Sequence, residues 1–146
     1  MTSRILLTAI LGAFLHLAAA ICNFAYAAPS QPKIKVGVSS ALLGGAASYG
    51  LDIQDAVRFA DEKLGKGRFE LIFENDNCTG KDAVSVAQKF TQIEKVDVAI
   101  GFACSSAALS AAPIFERAKI PVLITSASSP KIAHAGEFIF RTILSD

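Results

Sequence analysis

From Lys33 onward, short apolar runs alternate with amphipathic stretches, and that alternation limits the folds open to the chain more than any other feature. Lys33 to Ser39 (KIKVGVS) has Ile34, Val36 and Val38 in step, and reads as a strand. Phe69 to Glu74 (FELIFE), Val96 to Gly101 (VDVAIG), Pro121 to Ile124 and Phe138 to Arg141 (FIFR) read the same way. Between the first two, Ile53, Ala56, Val57, Ala60 and Leu64 make a helical stripe over Leu51 to Leu64. Gly65 and Gly67 end that helix, and Gly44, Gly45 and Gly50 punctuate the loop before it. A second helix carries Ala83, Val86, Ala87, Phe90 and Ile93 on one face, with Thr79 as N-cap and Asp82 as an early negative charge. Ser105 to Ala118 is the third helix, with Leu109, Ala112 and Phe115 inward. A small-residue loop, Ser126 to Pro130, leaves room for a short helix before the last strand. Short apolar strands with helical crossovers predict an α/β fold, a doubly wound parallel sheet with helices on both faces. Right-handed crossovers make 2-1-3-4-5 the expected strand order.

The first 27 residues stand apart from that pattern. Arg4, an apolar run from Ile5 to Ala20 and the small-x-small end Ala25-Tyr26-Ala27 read as a signal peptide cleaved after Ala27. An uncleaved membrane anchor is the alternative, because the run is nearly long enough to span a bilayer. Lipidation at Cys22 would want a small residue before it, and Ile21 stands there. The expected domain is therefore 28–146. Removing 27 of the 146 residues leaves 119, enough for one domain with a core. Of the charged groups only Arg4 is lost, so the mature chain is neutral, with 13 Lys+Arg against 13 Asp+Glu. A neutral chain without a basic cluster has no electrostatic reason to bind nucleic acid.

In such a sheet, ligands bind beyond the carboxyl ends of the strands, near the point where strand order reverses. The loops expected there are Ser40 to Gly50, Phe102 to Ser106 and Thr125 to Pro130, all rich in Gly, Ala and Ser. Ala103-Cys104-Ser105-Ser106 leads straight into a helix, whose free N–H groups suit a carboxylate or phosphate. Ser105 taken alone is equally an ordinary N-cap. Ser126 to Pro130 offers hydroxyls and carbonyls to a ligand ammonium group, or else is a solvated turn. Tyr49, just before the first helix, is a flat wall for a ligand or a plain surface residue. Cys78 and Cys104, the cysteines of the mature chain, are most simply read as one disulfide. A redox or metal pair is the alternative, but there is no C-x-x-C, and only His134 could add a nitrogen.

Several of these segments, in order, resemble the periplasmic solute-binding proteins of ABC importers of the branched-chain amino-acid type, which have the two-lobed type I binding fold. They are IKVGV, ASYG before the first helix, NDNC, AIGFACSS, IPVLITSASSP and FIFRT, from about Lys33 to the end. The resemblance implies that Ser105 binds an amino-acid α-carboxylate, as N-cap and ligand anchor together. It implies that the Ala127 carbonyl and the Ser129 hydroxyl meet the α-ammonium and carboxylate, although the family more often has Thr where Ser129 stands. It also implies that Tyr49 packs beside the ligand side chain, and that Cys78 and Cys104 match a family disulfide. Catalytic residues, metal and cofactors are not expected.

Family members carry a second lobe of similar size that closes over the ligand and helps contact the membrane permease. On the resemblance, this chain is the first, N-terminal lobe only, truncated where the family crosses to the second lobe. It would serve as the periplasmic substrate-binding component of an amino-acid uptake system, with an ABC permease as partner if the second lobe were present. Related proteins take branched-chain amino acids, aromatic acids, amides or urea, and the ligand expected here carries a carboxylate and an amine. One lobe supplies half a cleft, so weak binding is expected, and apolar groups such as Phe138 and Ile143 are expected to be exposed. An extracellular ligand-sensing domain of a receptor is the alternative function. An enzyme is not expected, since G-x-S-x-G, G-x-G-x-x-G and a P-loop are all missing from the sequence.

Overall fold

The structure is a computed structural model and describes residues 32–146. The expected signal peptide, its cleavage at Ala27 and Cys22 lie outside the described residues.

Strands β1 (Ile34–Ser40), β2 (Phe69–Asn75), β3 (Val98–Gly101), β4 (Val122–Ile124) and β5 (Ile139–Arg141) form one parallel sheet in the order β2-β1-β3-β4-β5. This is the expected order. Helix α1 (Ala47–Ala60) links β1 to β2, α2 (Gly80–Gln88) links β2 to β3, and α3 (Ser105–Ala118) links β3 to β4. Short 3-10 turns, Gly44–Ala46 and Pro130–His134, precede α1 and β5.

The core lies on one face of the sheet. The register places Ile72, Gly37, Ala99, Val122 and Ile139 in one row across the strands. Against that face pack Ala83, Val86, Ala87 and Phe90 of the α2 segment and Ala107, Ala108, Ala111, Ala112 and Phe115 of α3. The many alanines let these two helices approach each other closely. Thr79 caps α2 as expected, its hydroxyl accepting the Asp82 N–H at 3.1 Å. The carboxylate of Asp82 is held below its usual pKa by the Asn77 amide, then by Thr79.

The stripes ran true only in part. Ile93, expected inward, is 72% exposed. It lies in a π-helical turn, Lys89–Glu94, where the wider winding rotates side chains away from the α2 stripe. On α1 only Ile53 and Gly50 are buried; Ala56 and Ala60 are exposed, as is Leu64 in the π-helical turn Asp61–Gly65 that follows. The reason is the second face of the sheet. There the row runs Phe73, Val38, Ile100, Leu123, Phe140. Val38 is fully buried, but Leu123 is 36% and Phe140 52% exposed. A parallel sheet is ordinarily covered on both faces, yet among the described residues α1 is the only helix on this side. A groove of about 350 Å³ remains beside it, lined by Val36, Val57, Leu64, Leu71 and Ile100 among others. Of the two residues expected to be exposed, Ile143 is, while Phe138 is half-buried and its neighbour Phe140 takes the open position.

An apolar strip of this kind favours association. Residues 28–146 are expected to self-associate reversibly, seen as a concentration-dependent sedimentation coefficient. Leu123→Lys with Phe140→Glu should restore a monomer. A wild-type chain that sediments as a monomer at high concentration would refute the expectation.

Helix α1 starts at Ala47, not Leu51, so Tyr49 and Gly50 lie inside its first turn rather than in the preceding loop. Gly50 makes this possible. A side chain there would sit 1.8 Å from the Ala41 carbonyl oxygen, so only glycine lets the helix come this near the end of β1.

Candidate functional site

At the carboxyl edge of the sheet the last row is Ser39, Gly101, Ile124 and Arg141. The chain leaves β3 through two left-handed residues, Gly101 at φ 123° and Phe102 at φ 62°. An aromatic residue in that conformation is strained, and surrounding contacts must hold it there. Two do. The Phe102 N–H donates to the Ser39 carbonyl at 2.8 Å, and the buried ring packs edge-on against Phe115 at 6.1 Å. This turn aims the start of α3 at the carboxyl edge of β1.

Cys104, not Ser105, is the N-cap of α3, with extended backbone and no side-chain cap bond. Its sulfur is otherwise engaged, in the disulfide with Cys78, whose Cα lies 5.3 Å away. Ser105 is therefore the first helical residue, as the expected span Ser105 to Ala118 has it, and not the N-cap. The first bond of the helix runs from the Ala108 N–H to the Cys104 carbonyl at 3.0 Å. The N–H groups of Ser105, Ser106 and Ala107 precede it, and they form the partly positive end of the helix.

The disulfide ties the loop after β2 to this turn. Ser106 adds a bond from its hydroxyl to the Cys78 carbonyl at 3.3 Å. The loop after β2 is itself braced by Asp76, which is fully buried. Its carboxylate accepts the Ser39 hydroxyl at 2.8 Å and the Cys78 N–H at 2.8 Å.

The loop after β4 closes on Ser105 from the other side. The Ser129 N–H donates to the Ser105 hydroxyl oxygen at 3.2 Å. That bond occupies a lone pair and leaves the Ser105 O–H free to donate to another group. Ser129 uses its own hydroxyl to cap the Pro130–His134 turn, accepting the Lys131 N–H at 3.4 Å. The Arg141 guanidinium reaches back to the Ser128 and Ser129 carbonyls, at 2.9 Å each. Asp146 accepts the Ser128 hydroxyl at 2.7 Å.

Of the residues expected at the site, Ser105 and Ser129 are in contact. Ala127 lies two residues before Ser129 but is only 1% exposed, so its carbonyl is covered in this conformation. Tyr49 stands in the first turn of α1, 64% exposed, with no hydrogen bond to either serine. Sequence reasoning missed Arg141, Asp76 and the left-handed Phe102. For Arg141 there was a signal, a lone cation at the end of an apolar strand. For the other two there was none. Among the described residues, no three His, Cys, Asp or Glu side chains stand close enough to hold a metal ion. Among them, too, no helix is long and apolar enough to cross a membrane.

The N-terminus of α3 and the bonded Ser105–Ser129 pair thus stand at the carboxyl edge of a parallel sheet, the place where α/β lobes take small ligands. Residues 33–145 match the periplasmic binding protein family, and the chain belongs to it. That family consists of solute-binding proteins, not enzymes. An amino acid binding protein of Pseudomonas aeruginosa is 24% identical over 109 residues, covering 70% of this chain and 29% of the relative. A solute binding protein of an ABC transporter from Rhodopseudomonas palustris, solved with 3,4-dihydroxybenzoic acid, is 30% identical at a TM-score of 0.75. The match covers 79% of this chain and 33% of that one. A branched-chain amino acid transporter substrate binding protein of Streptococcus pneumoniae, solved with isoleucine, shares the fold at a TM-score of 0.74 and 21% identity, over 77% of this chain and 34% of that one. The chain thus spans about a third of the length of these relatives.

Proposed function

We propose that the chain supplies the first lobe of a periplasmic substrate-binding protein for an ABC-type importer, exported by a signal peptide cleaved near Ala27. Its ligand is a small carboxylate, either an amino acid or an aromatic acid. The observation that carries this reading is the bond between Ser129 and Ser105 at the open end of α3. It joins the loop after β4 to the start of α3 and leaves the Ser105 O–H free to donate beside three helix N–H groups. Relatives solved with isoleucine and with 3,4-dihydroxybenzoic acid support the class, since the two ligands share only the carboxylate. In this reading Ser105 anchors the carboxylate, Ser129 flanks it, and the Ala127 carbonyl takes an ammonium group once its cover shifts. Tyr49 borders the side chain of the ligand. A second lobe would complete the cleft, and the membrane permease would be the partner of the closed pair.

Half a cleft makes half the contacts, so affinity for this chain alone should be weak, about millimolar. Calorimetry of residues 28–146 with leucine should therefore show little heat, and micromolar binding would overturn that expectation. Nuclear magnetic resonance reads the site directly. Leucine and 4-hydroxybenzoate should move the amide signals of Ser105, Ser106 and Ala107, whereas leucinol, which lacks the carboxylate, should not. Unmoved signals at saturating ligand, or equal shifts with leucinol, would sink the reading.

A further inference from the structure

We infer that Arg141 is the positioning residue of this site, setting the loop after β4 at the one register in which Ser129 meets Ser105. The inference rests on the proposed site for its functional meaning, but not for its geometry. A single guanidinium nitrogen, Nη1, donates to two consecutive carbonyls, Ser128 and Ser129, each at 2.9 Å. In extended chain, successive carbonyls point to opposite sides. Here they converge, and two converged carbonyl dipoles repel. A cation between them offsets that repulsion, and charge-assisted bonds of this length are the strong ones. Arg141 is well placed to do this. It ends β5, in the same row as Ile124 and Gly101, so its backbone is fixed by the sheet. The Thr142 N–H donates to the Ile124 carbonyl at 3.1 Å and locks the adjacent peptide.

The loop is thus held from three sides, since Asp146 also bonds Ser128, its N–H donating to the Ser128 carbonyl at 3.2 Å and its carboxylate accepting the Ser128 hydroxyl. The loop's carbonyls are gripped by Arg141, and its next amide is latched onto the Ser105 hydroxyl at 3.2 Å. Without the grip the Ser128 carbonyl keeps its bond from the Asp146 N–H, but the Ser129 carbonyl is released, the Ser129 N–H turns away, and the Ser105 oxygen loses its bond to the loop. Arg141 makes no hydrogen bond to Ser105 or to the first N–H groups of α3, so its grip acts on the site through the loop.

The test is amide hydrogen exchange on residues 28–146, followed residue by residue by nuclear magnetic resonance. In Arg141→Met the Ser129 amide should exchange at least about tenfold faster than in the wild type, while the Ala99 and Val122 amides keep their rates. Arg141→Lys, whose ammonium can still meet two carbonyls, should restore most of the protection. Wild-type rates at Ser129 in Arg141→Met would overturn the inference. Should Arg141→Met lose its fold, the wild type decides by itself. A gripped guanidinium gives separate, slowly rotating Nη signals in the cold, and a single averaged signal would overturn the inference. None of these readouts involves a ligand. A failed leucine titration with an intact grip would therefore reject the proposed function and leave the positioning role standing.

Discussion

Replacing Gly101 with alanine is expected to cost the lobe about 3–5 kcal/mol, from backbone strain and overpacking together. The backbone there has φ 123°, a region that side-chain-bearing residues rarely enter. An added methyl would also sit 2.0 Å from the Ser39 carbonyl oxygen, which is backbone and part of the neighbouring strand. Neither strand can yield without breaking bonds that hold the site. The Ser39 carbonyl accepts the Phe102 N–H, and the Gly101 carbonyl accepts the Thr125 N–H at 3.0 Å and its hydroxyl at 3.2 Å. The damage should therefore reach both loops that flank Ser105. Urea unfolding of Gly101→Ala should show a much lower midpoint, and its folded fraction should have altered Ser105 and Thr125 signals. Gly45→Ala is the control, since nothing lies within 4 Å of a side chain there. It should be neutral, or stabilising by under about 1 kcal/mol. A Gly101→Ala midpoint equal to the wild type would show that the turn after β3 is looser than described.

Loss of the Cys78–Cys104 bond should cost about 3–4 kcal/mol, which corresponds to a melting temperature lower by about 10 °C or more. The bond spans 26 residues of chain and includes α2, the whole of β3 and the turn into α3. Cross-linking that span removes unfolded conformations, and in the folded state it draws the loop after β2 to the N-terminus of α3. Thermal unfolding of Cys78→Ser/Cys104→Ser, followed by circular dichroism, checks the stability. The sheet should persist, because its core is built from α2, α3 and the strands and not from the loops. Thiol titration of the denatured mature chain checks the bond itself. Two reactive thiols in protein purified under oxidising conditions would rule the bond out.

Most of the architecture was legible in the sequence because its signals are local. Val36 and Val38 alternate within β1, and Ala83, Val86, Ala87 and Phe90 recur at helical spacing; each pattern needs only its neighbours to be read. The loss came where a neighbour in space decided. Gly50 read as a loop residue because glycine usually ends structure. In the fold it is the one residue that fits against Ala41, so α1 begins four residues early. Ser105 read as an N-cap because serine favours that position, yet Cys104 stands there, held by its bond to Cys78. Phe138 and Phe140 are two residues apart and so share a face of the chain, and only what packs around each one leaves Phe138 half-buried and Phe140 open.

The sequence by itself determined the α/β class, the strand order and the three loops that gather at one edge. Strand and helix periods, and the fixed hand of the crossovers, leave little else possible. Tertiary structure alone decided how the site is held. Ser129 meets Ser105 across 24 residues, Cys78 meets Cys104 across 26, and Ser39 reaches Asp76 across 37. Arg141 grips two carbonyls from the next strand over. Contacts between residues so far apart leave no period in the sequence, since they depend on where the sheet places each strand end.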